Sequence, residues 1–220
     1  MEELVCEGDC GIDQNGISQL QILKMIGCSD NGKIKNVNHL KNTLEKLLCD
    51  GKCGINQDGI SQLENLREIF CENNGKINDL NHLANVLEIL QCRRNCNIDQ
   101  TGISQLKYLK VLDCDNVEKI YDVNHLANVL EVLYCGYNCR IGQYGISQLK
   151  KLKKMYCYDN KEIKNVNHLA DTLEELNCQG TCGIDQNGIS QLKYLKSMCS
   201  SSNYKIENVD HLKGTSKHIY

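Results

Sequence analysis

The sequence repeats itself every 43 residues without a single slip of register. The stretch LEELNCQGTCGIDQNGISQL from Leu173 has counterparts in LEKLLCDGKCGINQDGISQL from Leu44, LEILQCRRNCNIDQTGISQL from Leu87 and LEVLYCGYNCRIGQYGISQL from Leu130. A first copy, MEELVCEGDCGIDQNGISQL, starts at Met1. A second motif, LREIFCENNGKINDLNHL from Leu66, recurs from Leu23, Leu109, Leu152 and Leu195 with the same period. The chain therefore reads as five double repeats, 1–43, 44–86, 87–129, 130–172 and 173–215, each of 22 plus 21 residues. Residues 216–220 begin an eleventh strand. A repeat this short cannot bury its own apolar stripe, so ten of them must stack into one continuous core, which predicts a single solenoid over 1–220.

Both halves of the copy share the frame L-x-x-L-x-C-x(5)-I, as in Leu66, Ile69, Cys71 and Ile77. The Leu-x-Cys alternation suits a short strand with one buried face. I-S-Q-L and V-N-H-L, with apolar residues three apart, suit a turn of 3₁₀ or α-helix on the opposite side. These residues resemble short leucine-rich repeats of the internalin type, with Cys at an inward strand position. Leu109, Leu112 and Cys114 occupy the family's strand leucines, and Asn31, Asn74, Asn160 and Asn203 its asparagine position, where Val117 departs. In the other half, Cys10, Cys53, Cys96, Cys139 and Cys182 stand there, one residue later. The Cys- and Asn/Lys-rich style also resembles repeat arrays of amoebal giant viruses and protists. The resemblance implies an α/β solenoid: a right-handed leucine-rich repeat horseshoe, one parallel sheet on its concave face and 3₁₀ or irregular segments on its convex side. It implies little about function, because this family serves mostly as a binding scaffold.

Fifteen cysteines in 220 residues pose the chemical question. The opening MEELVCEGD lacks the apolar stretch of a secretory leader, so the thiols are expected to be free, in a reducing cytoplasmic setting. Parallel strands lie ~4.8 Å apart. Cys6, Cys28, Cys49, Cys71, Cys92, Cys114, Cys135, Cys157 and Cys178 would form one inward core ladder, with Ser200 as tenth rung. Thiols there pack as small hydrophobes, and ladder neighbours stand wider than the ~3.8 Å Cβ separation of a disulfide. The second set, headed by Cys10, recurs on alternate strands, so its members are ~10 Å apart. Ligands spread along a line do not converge on a metal, so no metal and no cofactor is expected.

Gly16, Gly59, Gly102, Gly145 and Gly188 precede every I-S-Q-L, a place for positive φ or close backbone approach. No Lys-Ser/Thr follows, so no phosphate loop is indicated. His39, His82, His125, His168 and His211 recur once per copy. A catalytic histidine needs one special neighbourhood, so five equal ones suggest a hydrogen bond on the outer surface. Nothing reads as an active site, and the chain is expected not to be an enzyme. A net charge of −3 gives no footprint for nucleic acid, and no segment approaches a membrane span.

Function should lie where the copies differ. G-I-S-Q-L is invariant, whereas the strand residue between the inward pair reads Val5, Gly27, Leu48, Phe70, Gln91, Asp113, Tyr134, Tyr156, Asn177 and Cys199. The expected role is a scaffold that offers its concave sheet to a partner protein through Phe70, Gln91, Arg93, Asp113, Asp115, Tyr134, Tyr137, Tyr156, Tyr158 and Asn177. The bland alternative is drift on a solvated face. Another class of reading is a structural element, monomeric or weakly joined end to end through solenoid ends without polar caps.

Overall fold

A computed structural model describes residues 1–212 and the backbone of 216–218. It comprises two compact units, Met1–Leu109 and Lys110–Tyr220. The division falls inside the third copy, the one whose asparagine position holds Val117.

In the N-terminal unit, β1 (Glu3–Val5), β2 (Met25–Gly27), β3 (Lys46–Leu48), β4 (Glu68–Phe70) and β5 (Ile89–Gln91) pair in chain order, all parallel. The C-terminal unit does the same with β6 (Val111–Asp113), β7 (Val132–Tyr134), β8 (Lys154–Tyr156), β9 (Glu175–Asn177), β10 (Ser197–Cys199) and β11 (Ser216–His218). The eleventh strand expected over 216–220 is thus described at Ser216–His218, and residues 219 and 220 lie outside the described residues. Middle residues align rung on rung, as in Leu112↔Leu133, Leu133↔Met155 and Met155↔Leu176. Each is buried, and burying a side chain of this size contributes roughly 1.5–3 kcal/mol. The inward cysteine follows the strand and extends the ladder by one bond, as in Cys28 N–H to Leu48 O at 2.8 Å.

Two residues beyond that cysteine the backbone always turns left-handed. Gly8, Asp30, Gly51, Asn73 and Arg94 in one unit, and Asn116, Tyr137, Asp159, Gly180 and Ser202 in the other, have φ between 54° and 66°. Gly, Asn and Asp tolerate this conformation well; Arg and Tyr do not.

The turn carries the chain to the outer side, where side chains and single backbone bonds, such as Val37 N–H to Gly59 O at 2.9 Å, hold successive repeats together. Single helical turns such as Gln57–Ile60 are capped by Asn56, whose Oδ1 accepts the Gly59 N–H at 3.0 Å. Invariant Gly59, Gly102, Gly145 and Gly188 are there for close approach: a Cβ would strike the carbonyl oxygen of Lys35, Asn78, Tyr121 or Lys164. His39, His82, His168 and His211 place Nε2 3.0–3.1 Å from the carbonyl oxygen of an isoleucine in the preceding repeat. That is the outer-surface bond anticipated for these histidines.

Buried Asn31, Asn74, Asn160 and Asn203 lie beneath the turn. Each donates to two carbonyls of the preceding repeat, as Asn31 Nδ2 does to Cys6 O at 2.8 Å and Ile12 O at 3.0 Å. Two orphan acceptors are satisfied by one amide, which is why this polar group can sit in a core.

Candidate functional site

The variable strand positions carry the chemistry of the sheet surface. In the N-terminal unit, Phe70 is half-buried under the Lys46 ammonium, which lies 5.0 Å from its ring centroid. Lys46 also pairs with Glu68 at 2.8 Å on the next strand. Gln91 and Arg93 are partly exposed, and left-handed Arg94 reaches Glu72 at 3.2 Å. Phe70, Gln91 and Arg93 therefore belong to this unit, and the other seven anticipated residues belong to the C-terminal one.

That second group is built around tyrosines. Tyr134 and Tyr156 are register partners on β7 and β8, and their rings stack at 4.2 Å with planes 4° apart. Stacking at strand spacing follows from the parallel register, which stands identical side chains directly over one another. The Tyr156 hydroxyl donates to Glu175 Oε1 at 2.5 Å, and Lys154 pairs with Glu175 at 3.1 Å. Burial and this bond raise the Tyr156 phenol above its usual value; the same hydroxyl and Lys154 lower the Glu175 carboxyl. Asn177 lies beside Tyr156 in register.

Tyr158, just beyond β8, arches back. Its ring lies over Gly136, where a Cβ would come within 2.6 Å of the ring, and its hydroxyl donates to Asp115 Oδ2. Asp115 Oδ1 also accepts the Gly136 N–H at 2.6 Å. Burial, then the Asp115 contact, push the Tyr158 phenol upward. Tyr137 packs edge-on against Tyr158, centroids 4.8 Å apart and planes at 78°. It holds a φ of 54° that disfavours a bulky residue, and its side chain remains exposed. Asp113 and Asp115 are not presented to solvent as their positions suggested: they are 4% and 5% exposed. Asp115 is a brace under Tyr158 instead of a surface charge.

Cys6, Cys28, Cys49, Cys71, Cys92, Cys114, Cys135, Cys157 and Cys178 are all buried. No three His, Cys, Asp or Glu side chains gather in an arrangement fit for a metal among the described residues. No helix there is long and apolar enough to cross a membrane.

One feature of the sheet edge was not among the expectations drawn from the sequence. Two residues before each inward strand residue the sign alternates: Glu2, Lys24, Glu45, Arg67 and Glu88, then Lys110, Glu131, Lys153, Glu174 and Lys196. Lys24–Glu2 at 3.0 Å and Arg67–Glu88 at 2.9 Å pair in one unit, and Lys153–Glu131 at 2.8 Å and Lys196–Glu174 at 2.7 Å in the other. Exposed pairs contribute little stability, but like charges stacked at this spacing would repel.

No family model and no curated protein matches the sequence. Two solved structures are similar in fold. A chain of the yeast Rad7 and Elc1 complex has TM-score 0.58 and 14% identity over 98% of this chain and 73% of that one. An internalin, InlF, from Listeria monocytogenes str. 4b F2365, has TM-score 0.55 and 21% identity over 100% of this chain and 82% of that one. Strand-and-turn repeats with fixed inward leucines, together with these two likenesses, make the fold of this chain that of the leucine-rich repeat proteins.

Proposed function

We propose that the chain is a non-enzymatic interaction scaffold and that a partner protein docks on its strand face over Tyr134, Tyr156 and Tyr158. The observation that carries this reading is the contrast between fixed and variable positions. The glycine and histidine that lock repeats together recur in every copy, and the buried asparagine in all but the third, while the strand face gathers four tyrosines, one of them held in an unfavourable backbone conformation. Tyrosine most often carries interface energy because it combines large area with a hydrogen-bonding tip and few rotamers to freeze. Asp115 and Gly136 set the height of Tyr158, and Glu175 with Lys154 sets the hydroxyl of Tyr156. In the N-terminal unit the strand face offers Phe70 under Lys46, and the partly exposed Arg93. The yeast chain of similar fold belongs to a protein complex, that of Rad7 with Elc1, in keeping with this use of the fold.

The test is capture from the native host. Wild-type protein should retain a defined protein, and Tyr134→Ala with Tyr156→Ala should weaken capture about tenfold or more while the melting temperature moves only a few degrees. Retained capture in the double variant, with loss in the outer-face variant His125→Ala, would move the binding face elsewhere. Concentration-dependent light scattering without any other protein would favour self-assembly.

A further inference from the structure

The two sets of cysteines meet sulfur to sulfur. Cys28 Sγ lies 3.5 Å from Cys53 Sγ, Cys71 3.9 Å from Cys96, Cys114 3.7 Å from Cys139, and Cys157 3.7 Å from Cys182. Every pair spans 25 residues and joins the second repeat of one 43-residue copy to the first repeat of the next. The buried asparagines span the same 25 residues, but inside a copy. Asparagine thus ties the two repeats of a copy, and a thiol pair stands at each of the junctions between copies one to five.

We propose that these four thiol pairs are sites of reversible disulfide formation, with a small peroxide as oxidant, and that oxidation links the five copies covalently in series. An S–S bond is ~2.05 Å, so closure needs the sulfurs to approach by about 1.5–1.9 Å, within reach of side-chain rotation and slight backbone adjustment. The eight sulfurs are buried, so the oxidant must be about the size of water. Cys96 and Cys139 retain the most exposure, 6% and 4%.

In each pair the sulfurs are within reach of an S–H···S hydrogen bond in which either can donate. That contact and burial hold the inward thiols of Cys28, Cys71 and Cys157 above the ordinary value, and the contact draws Cys53, Cys96 and Cys182 below it. The sulfur outside the inward row is the attacking one. Its thiolate displaces hydroxide from the peroxide, breaking the O–O bond and leaving a sulfenic acid. The hydroxide takes up the proton that the thiol gave up and becomes water. The inward thiol then attacks the sulfenic sulfur, the S–O bond breaks, and its proton leaves with the hydroxide as a second water. Overall, two thiols and one hydrogen peroxide give one disulfide and two waters. A dithiol reductant returns the pair.

The reduced full-length protein is titrated with hydrogen peroxide, quenched, alkylated in denaturant and mapped by mass spectrometry without reductant. Expected is pairwise loss of thiols, two hydrogens per step, with linked peptides at Cys28–Cys53, Cys71–Cys96, Cys114–Cys139 and Cys157–Cys182, all reversed by dithiol. Cys96→Ser should delete one link and spare the other three. Cys10→Ser with Cys199→Ser, which removes the two thiols not fully buried, should spare all four. Sulfinic or sulfonic acid without linked peptides, links between other positions, or links formed only after denaturation would each overturn the proposal.

Discussion

The side-chain amide of Asn160 donates to the carbonyl oxygen of Cys135 at 2.8 Å and to that of Ile141 at 3.0 Å, one repeat earlier. Both acceptors are covered by the turn that brings Asn160 over them, so water cannot replace the amide. Asn160→Ala should cost about 2–4 kcal/mol, because two buried carbonyls lose their donor. Urea unfolding checks this. A loss under about 0.5 kcal/mol would mean that the turn admits water.

Gly145 and Gly16 occupy the same place in G-I-S-Q-L but meet different surroundings. A Cβ on Gly145 would collide with the carbonyl oxygen of Tyr121, whereas on Gly16 it meets side chains alone, Ile12 Cγ2 at 3.2 Å and Asp13 Oδ1 at 3.8 Å. Gly145→Ala should therefore destabilise by about 3 kcal/mol or more, since backbone must yield. Gly16→Ala should be near neutral, the contact being offset by alanine's better helix propensity. Thermal melts of the two variants decide it, and equal effects would show that conformation, not approach, selects this glycine.

The sequence alone revealed the period, the parallel strands and the inward ladder, because a strict repeat confines equivalent residues to equivalent environments. It did not reveal the thiol pairs. Comparing each cysteine set with itself treats the solenoid as a line, and the contact arises from the turn that swings Cys182 back over Cys157. Nor could composition mark the left-handed position, where Gly, Asp, Asn, Ser, Arg and Tyr all occur. Asp113 and Asp115 looked like surface charges by strand alternation. They are buried, with Asp115 covered by a tyrosine that folds across a glycine of the intervening repeat. The alternating edge charges were legible all along, but at a position outside the strand residues that were compared.

Glu175 ties Tyr156 to pH. Its folded pKa lies below the ordinary carboxylate value, through the Tyr156 hydroxyl and Lys154. The associated stability is present above the unfolded value of ~4.3 and is lost as pH falls through the folded pKa. Denaturation midpoints should therefore drop as the solution is acidified past the unfolded carboxylate value, and Glu175→Gln should flatten part of that drop. Glu174 shifts in the same direction through Lys196, so Glu174→Gln is the control. At the alkaline end, Tyr156 keeps its proton above the usual value near 10, so stability should decline as pH rises through it. A phenolate absorbance titration in which all ten tyrosines ionise together near pH 10 would contradict the Tyr156–Glu175 bond.

Ser200 is the tenth rung of a ladder whose other nine rungs are cysteine, and its hydroxyl is buried with no hydrogen-bond partner among the described residues. An unsatisfied buried hydroxyl costs about 1–3 kcal/mol, whereas a thiol is tolerated as a small hydrophobe. Ser200→Cys should restore the ladder and stabilise by about 1 kcal/mol, a rise of about 2–4 °C in melting temperature for a chain of this size. Ser200→Ala separates the two contributions: it removes the orphan hydroxyl without adding sulfur volume, so it should gain less than the cysteine. If both variants melted below wild type, the hydroxyl would have to be bonded in solution, and the inward ladder would end at Cys178.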